Sequence, residues 1–96
     1  MSKRIEVPTA EEVLRSKVAM AVLRTLIQRD MPLPISRIAK EIGSNHVTVK
    51  KHMKLLEEAN LVTVVEYGKR TLYKANEADE RVLAYRDFIQ AWSKQM

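Results

Sequence analysis

Residues 36–62 read SRIAKEIGSNHVTVKKHMKLLEEANLV, and they contain the most informative helix caps and breaks of the chain. Ser36 can cap a helix of about two turns, and Gly43 supplies the left-handed backbone that ends it. Asn45 can then cap a second helix, which we expect over 46–59. The sequence therefore predicts two helices joined by a tight turn. Apolar residues at helical spacing define the buried face of the second helix: Val49, Met53 and Leu56.

The chain before this stretch predicts one long helix. Thr9 and Glu12 form a capping-box pattern, in which each residue can satisfy the other's backbone N–H. Apolar residues then recur every three or four positions, so we expect a continuous helix from about Ala10 to Arg29. Two prolines within 30–34 end it. The apolar stripe is wide enough to contact both the chain's own core and a partner.

The chain after this stretch changes period at Asn60, which can end a helix in the left-handed conformation. The β-rich run 61–75 is interrupted by Gly68-Lys69-Arg70, which predicts a hairpin, or wing, with a basic tip. Asn76 can cap a last helix over about 77–95. That helix carries a seam of large apolar residues three and four apart: Val82, Tyr85, Ile89, Trp92 and Met96. We expect one domain over 1–96, mainly α with a small β-hairpin.

Composition excludes several classes of protein. The 96 residues contain no Cys, so a disulfide scaffold or a thiolate metal site is excluded and a reducing compartment is favoured. The longest apolar run, Val18 to Leu23, is far shorter than the ~20 residues of a membrane span. The start, 1–9, lacks the apolar region of a secretion signal. We therefore expect a cytoplasmic protein that does not interact with membranes.

The formal charge of +5 is unevenly distributed. Residues 43–56 contain three lysines and two histidines and no acid, whereas 75–96 contain four acids and three bases. The middle of the chain is therefore the candidate polyanion surface. On helix 46–59 the lysines lie opposite the buried face, where Lys can reach guanine acceptors and a Val or Thr methyl can meet thymine. A merely solvated lysine face is the alternative.

These patterns divide the candidate DNA contacts into two groups. Base contacts are expected from Thr48, Lys50 and Lys51, with His46 and Val47 as further candidates. Asn45, the capping residue, is also a candidate DNA contact. Phosphate contacts are expected from Arg37, Lys54, Lys69 and Arg70, the last two at the hairpin tip. His52 lies next to the buried face and is interpreted as a packing residue. The two histidines lack the spacing of a metal site, and no metal or other cofactor is predicted.

The stretch 38–62 resembles the helix-turn-helix of ArsR-like small winged-helix regulators, most tellingly in 48–53 and 55–62. The resemblance covers about 18–75, and the flanking helices are similar in placement to the dimerising helices of ArsR and PadR-like families. Small archaeal winged-helix proteins, including site-binding components of plasmid partition systems, resemble the same plan. Asn60 stands where the family usually has Gly. The metal-sensing role is not implied, because this chain has no Cys and no His after His52.

The resemblance implies a dimeric, nucleoid-associated protein that binds double-stranded DNA, as a regulator reading an inverted repeat. A protein that spreads along DNA in partition or compaction, and a protein-interaction module, are the alternatives. No catalytic residue is predicted, because two glycines cannot form a phosphate loop and no Cys nucleophile exists. The predicted dimer interface lies on the first and last helices and consists of Val13, Leu14, Val82, Tyr85, Phe88, Ile89 and Trp92.

Overall fold

The computed structural model describes residues 8–95, so that the start of the chain and the seam residue Met96 lie outside the described residues. Residues 8–95 form five helices, one more than expected, and a two-stranded antiparallel sheet that lies between the fourth and fifth helices. Within residues 8–95, no helix has both the length and the apolar character needed to cross a membrane. The elements are α1 (Ala10–Arg15), α2 (Lys17–Arg29), α3 (Ile35–Ile42), α4 (His46–Glu58), β1 (Val62–Tyr67), β2 (Arg70–Ala75) and α5 (Glu80–Lys94).

The first helix is broken at Ser16, so the expectation of one continuous helix was wrong. Ser16 adopts an extended conformation (φ −85°, ψ 108°). Its backbone N–H closes α1 on the Val13 carbonyl (3.1 Å), while its hydroxyl caps α2 by accepting from the Ala19 N–H (3.1 Å). A serine can leave the helical conformation at such a point because its hydroxyl accepts the hydrogen bond from a backbone N–H that has lost its helical carbonyl partner. The predicted Thr9 cap is confirmed, with its hydroxyl 3.3 Å from the Glu12 N–H.

The core forms where α2, α3 and α4 meet. The predicted inward face of α4 is confirmed: Val49, Met53 and Leu56 have no solvent exposure. They pack with Ile38 of α3 and with the buried face of α2, which is centred on Val22. Since a side chain of this kind contributes about 1.5–3 kcal/mol when buried, the packing fixes the orientation of α4.

The turns on either side of α4 also agree with the sequence. Gly43 ends α3 with a φ of 70°, and Asn60 follows α4 with a φ of 61°. Both are left-handed conformations, which Gly adopts freely and Asn tolerates better than most residues. α3 itself begins at Ile35 rather than after Ser36, because Pro34 occupies the cap position and sets an extended entry to the helix.

The wing is anchored to the helices by a third short segment. Leu33 and Tyr73 exchange two backbone hydrogen bonds of 2.8 Å, which add the linker after α2 to the edge of β2. The pairing of Val62 with Ala75 and of Glu66 with Thr71 sets the register. As side chains alternate along a strand, Tyr73 and Thr71 project from the same face of the sheet.

The last helix begins later than expected. Asp79, not Asn76, caps α5, with its carboxylate accepting from the Arg81 N–H at 2.8 Å. Asn76 instead binds the end of α4, because its amide nitrogen donates to the Asn60 carbonyl at 2.9 Å. Val82 is the buried residue of α5, and the helix projects beyond the core toward its C-terminal end.

Candidate nucleic-acid interface

The N-terminus of α4 is shaped by Asn45. Its side-chain oxygen accepts from the Thr48 N–H at 2.8 Å, so the predicted cap is present and that oxygen is already engaged. Thr48 lies half-buried at this first turn, whereas Val47 is 78% exposed. The Val47 side chain is therefore accessible to a ligand at the first turn of α4.

The outward face of α4 carries uncompensated positive charge. Lys50, Lys51 and Lys54 are all exposed, as is His46 at the start of the helix. Within residues 8–95, none of the three lysines forms a salt bridge. The structure therefore places these predicted residues together on one surface.

His52 lies at the edge of this surface and has a structural role, as its position in the sequence indicates. Its ring is half-buried, and Nδ1 lies 2.8 Å from the Thr48 carbonyl oxygen. A carbonyl oxygen only accepts hydrogen bonds, so this Nδ1 is protonated and donates. The bond fixes the ring against its own helix and leaves His46 as the exposed histidine of α4.

A groove of about 430 Å³ separates the start of α4 from the wing. It is lined by His46, Val47 and Lys50 of α4 and by Thr71 and Tyr73 of β2, together with Ile35 of α3. Sequence reasoning missed Thr71 and Tyr73 as residues of this surface. The alternation of β2 could have found them, because Ala75 is buried and every second residue before it points the same way.

The basic wing tip occupies a different position from that of Thr71. Gly68 turns the chain with a φ of 62°, and Lys69 and Arg70 are both exposed. Arg70 directly precedes Thr71 in β2, so the two side chains leave opposite faces of the sheet. The tip cations can therefore contact a polyanion beside the wing, while Thr71 faces α4.

Arg37 on α3 is not an isolated cation. Its Nε lies 3.3 Å from a carboxylate oxygen of Glu41, and Arg29 at the end of α2 donates to both oxygens of the same carboxylate. These hydrogen bonds, with that from Arg29 the strongest, hold the pKa of Glu41 below its ordinary value despite the opposing effect of desolvation. Glu41 is therefore ionised at neutral pH.

Five of the seven residues predicted for a dimer interface fall into two groups, buried and exposed. Val13 and Val82 are buried within the chain itself and contribute to its own core. Leu14, Phe88 and Trp92 are 64%, 58% and 64% exposed, and the two aromatic rings contact each other edge to face at 6.1 Å. Tyr85 and Ile89 are half-buried between these groups.

Titratable side chains do not gather into a metal centre in the described range. Across residues 8–95, no group of three or more His, Asp or Glu side chains is arranged to hold a metal ion.

Two helices joined by a left-handed glycine turn, the second with a basic outward face and followed by a hairpin, define a winged helix-turn-helix module. The family model described as a helix-turn-helix domain matches residues 14–65, more than half of the sequence. The chain therefore belongs to this helix-turn-helix domain family. No curated protein matches the sequence significantly.

Solved structures confirm the predicted winged-helix fold. The homodimeric winged helix-turn-helix DNA-binding domain of Mb0332 from Mycobacterium bovis has 23% identity and a TM-score of 0.66, over 86% of this chain and 73% of that chain. An ArsR-like transcriptional regulator from Rhodococcus sp. RHA1 has 21% identity and a TM-score of 0.64, over 86% and 78%. AF1382 from Archaeoglobus fulgidus has 19% identity and a TM-score of 0.65, over 88% and 97%.

Proposed function

We propose that this protein is a dimeric transcriptional regulator of the ArsR-like type that binds double-stranded DNA. The observation that carries the proposal is the exposed face of α4, where Lys50, Lys51 and Lys54 have no carboxylate partner within the described residues. A helix with such a face fits the major groove, where Lys can donate to guanine and the Val47 side chain can meet a thymine methyl. This role places the protein at the nucleoid of the cytoplasm.

The two kinds of DNA contact separate along the surface. Thr48, Lys50 and Lys51, with His46 and Val47, read base edges from the first two turns of α4. Lys54 lies farther along the helix, and Arg37, Lys69 and Arg70 lie on neighbouring elements, so these four hold phosphates.

A second copy of the chain is part of the proposal. α5 leaves the aromatic rings of Phe88 and Trp92 exposed, and the similar domain from Mycobacterium bovis is homodimeric. A twofold axis would place two copies of α4 about one DNA turn, ~34 Å, apart. The site would then be an inverted repeat with half-site centres about 10 base pairs, or a multiple of that, apart.

Footprinting on the DNA that flanks its own gene identifies the site and tests the mode of binding. A regulator protects one bounded region at all protein concentrations. Protection that extends outward as the concentration rises would instead favour the DNA-coating alternative. Absence of salt-dependent binding to any duplex would contradict DNA binding and favour a protein-interaction module.

The contact assignment is tested by comparing Lys51→Ala with Arg70→Ala on the protected duplex and on a scrambled one. Loss of the Lys51 base contact is expected to cost ~1–3 kcal/mol on the protected duplex and to relax preference at one position. Loss of the Arg70 phosphate contact weakens both duplexes alike and lowers the salt slope by about one. Arg86→Ala, which removes an exposed cation on α5 away from α4, controls for loss of one charge. Equal losses on both duplexes for Lys51→Ala would refute base reading by α4.

A further inference from the structure

Three charged side chains at the junction of α2 and α3 form one cluster. Arg29 reaches Glu41 through two hydrogen bonds, Nη2 to Oε1 at 2.7 Å and Nε to Oε2 at 3.0 Å. Arg37 reaches the same carboxylate through Nε alone, at 3.3 Å from Oε1. Two cations therefore share one anion, and the cluster keeps one net positive charge.

The two arginines hold the carboxylate unequally. The contact of Arg29 is bidentate and short, which is the stronger arrangement for a guanidinium and a carboxylate. The contact of Arg37 is single and long, and it uses an oxygen that Arg29 already engages. Among residues 8–95, neither terminal nitrogen of Arg37 has a hydrogen-bond partner, and its side chain is 58% exposed. The net charge of the cluster thus resides on an arginine whose outer end is free.

We propose that Arg29 is a positioning residue for DNA binding, one that neutralises Glu41 and thereby leaves Arg37 free to bind a phosphate. The inference rests on the proposed DNA-binding function and adds to it a residue at the end of α2. Arg29 acts through the carboxylate and need not contact DNA itself.

The effect expected from removing Arg29 explains why the cluster needs two arginines. Without Arg29, Glu41 retains its negative charge, and Arg37, four residues earlier on the same helix, is the cation that remains beside it. Arg37 would then hydrogen-bond to both oxygens of the Glu41 carboxylate, and its terminal nitrogens would no longer be free. A phosphate approaching this site would meet a closed ion pair with no net charge, and the contact would be lost.

The test measures salt-dependent binding to a random-sequence duplex of 20 base pairs, because a phosphate contact is independent of sequence. We expect Arg29→Gln and Arg37→Gln each to lower the salt slope by about 0.9, the value for one phosphate contact. Glu41→Gln added to Arg29→Gln restores the slope, because Arg37 then has no carboxylate to close on. Glu41→Gln added to Arg37→Gln does not restore it.

A matched control separates this effect from net charge. Arg29→Gln with Asp30→Asn has the same net charge as Arg29→Gln with Glu41→Gln, and Asn tolerates the left-handed φ of 51° at position 30. We expect no restoration by Asp30→Asn. Equal restoration by the two double variants would overturn the inference, as would a double variant with Glu41→Gln that binds as weakly as Arg29→Gln alone.

The unmodified protein gives an independent reading. In NMR spectra of the side-chain Nε–Hε groups, duplex addition should shift the Arg37 signal much more than the Arg29 signal. Equal shifts would indicate that Arg29 contacts DNA and would overturn the inference. Failure of the wild type to bind duplex with any salt dependence would contradict the proposed function as well, whereas normal binding by Arg29→Gln would contradict the positioning role alone.

Discussion

Replacing Trp92 by serine is expected to dissociate the proposed dimer without unfolding the chain. Trp92 is 64% exposed in the single chain, and a Trp side chain can bury about 150–250 Å². Complete burial of Trp92 in an interface would thus cover about 130 Å² of its exposed surface in each chain. Because a twofold axis buries one Trp92 from each chain, the total is twice that area. At ~25 cal/mol per Å² this amounts to about 6.5 kcal/mol, as an upper limit. Ordering of side chains on association offsets part of it, so we expect a loss of at least about 3 kcal/mol.

Sedimentation equilibrium measures the effect as a dimer dissociation constant. A loss of about 3 kcal/mol weakens dimerisation more than about 100-fold, since each 1.4 kcal/mol corresponds to a factor of ten. Circular dichroism should remain unchanged, because Trp92 lies outside the core that Val82 joins. Tyr67→Ser, which removes an aromatic ring that is 74% exposed at the wing tip, is the matched control and should dimerise normally. A monomeric wild type at micromolar concentration, or a dimeric Trp92→Ser, would refute the reasoning.

Three further predictions concern stability, pH and metal. Asn60→Ala should lower the free energy of unfolding by ~1–2 kcal/mol in urea titrations, because Ala lacks the polar side chain that lets Asn tolerate a φ of 61°, whereas Asn60→Gly should not lower it. The Arg81 side chain holds the pKa of Asp79 below its ordinary 3.8, so the ionised cap stabilises the fold at pH values above 3.8. This stabilisation is lost as the pH falls through the lowered pKa. The difference in free energy of unfolding between wild type and Asp79→Asn should therefore shrink in that acidic range. Stoichiometric zinc should change duplex affinity less than tenfold in titrations, since the sequence has no Cys and two widely spaced histidines.

The sequence predicted best the elements whose signals are local. The capping by Asn45, the left-handed turns at Gly43 and Asn60, and the buried face of α4 all follow from neighbouring residues in the chain. Each of these patterns agrees with the tertiary packing, so local preference and fold give the same answer. The basic surface of α4 was predictable for the same reason.

Errors arose where two local solutions compete. Ser16 lies within an apolar period that favours one helix, yet its hydroxyl can also begin a new one. Asn76 and Asp79 are both good caps, and the choice between them depends on the bond from Asn76 to the Asn60 carbonyl, sixteen residues away. The sharing of Glu41 by Arg29 and Arg37 likewise requires α2 and α3 to meet, which no local pattern specifies.

The hydrogen bond between Arg81 and the end of α4 affects how two copies of α4 would be placed in the proposed dimer. Arg81 donates through Nη2 to the Ala59 carbonyl at 2.8 Å, while the same guanidinium is held by Asp79. These hydrogen bonds hold the first turn of α5 against the C-terminal end of α4, so the two helices move together. In a dimer built on α5, a rotation of one α5 against the other would turn both copies of α4 with it. The angle at which the two α5 helices cross would then determine which spacing of half-sites on the DNA the two copies of α4 can contact together.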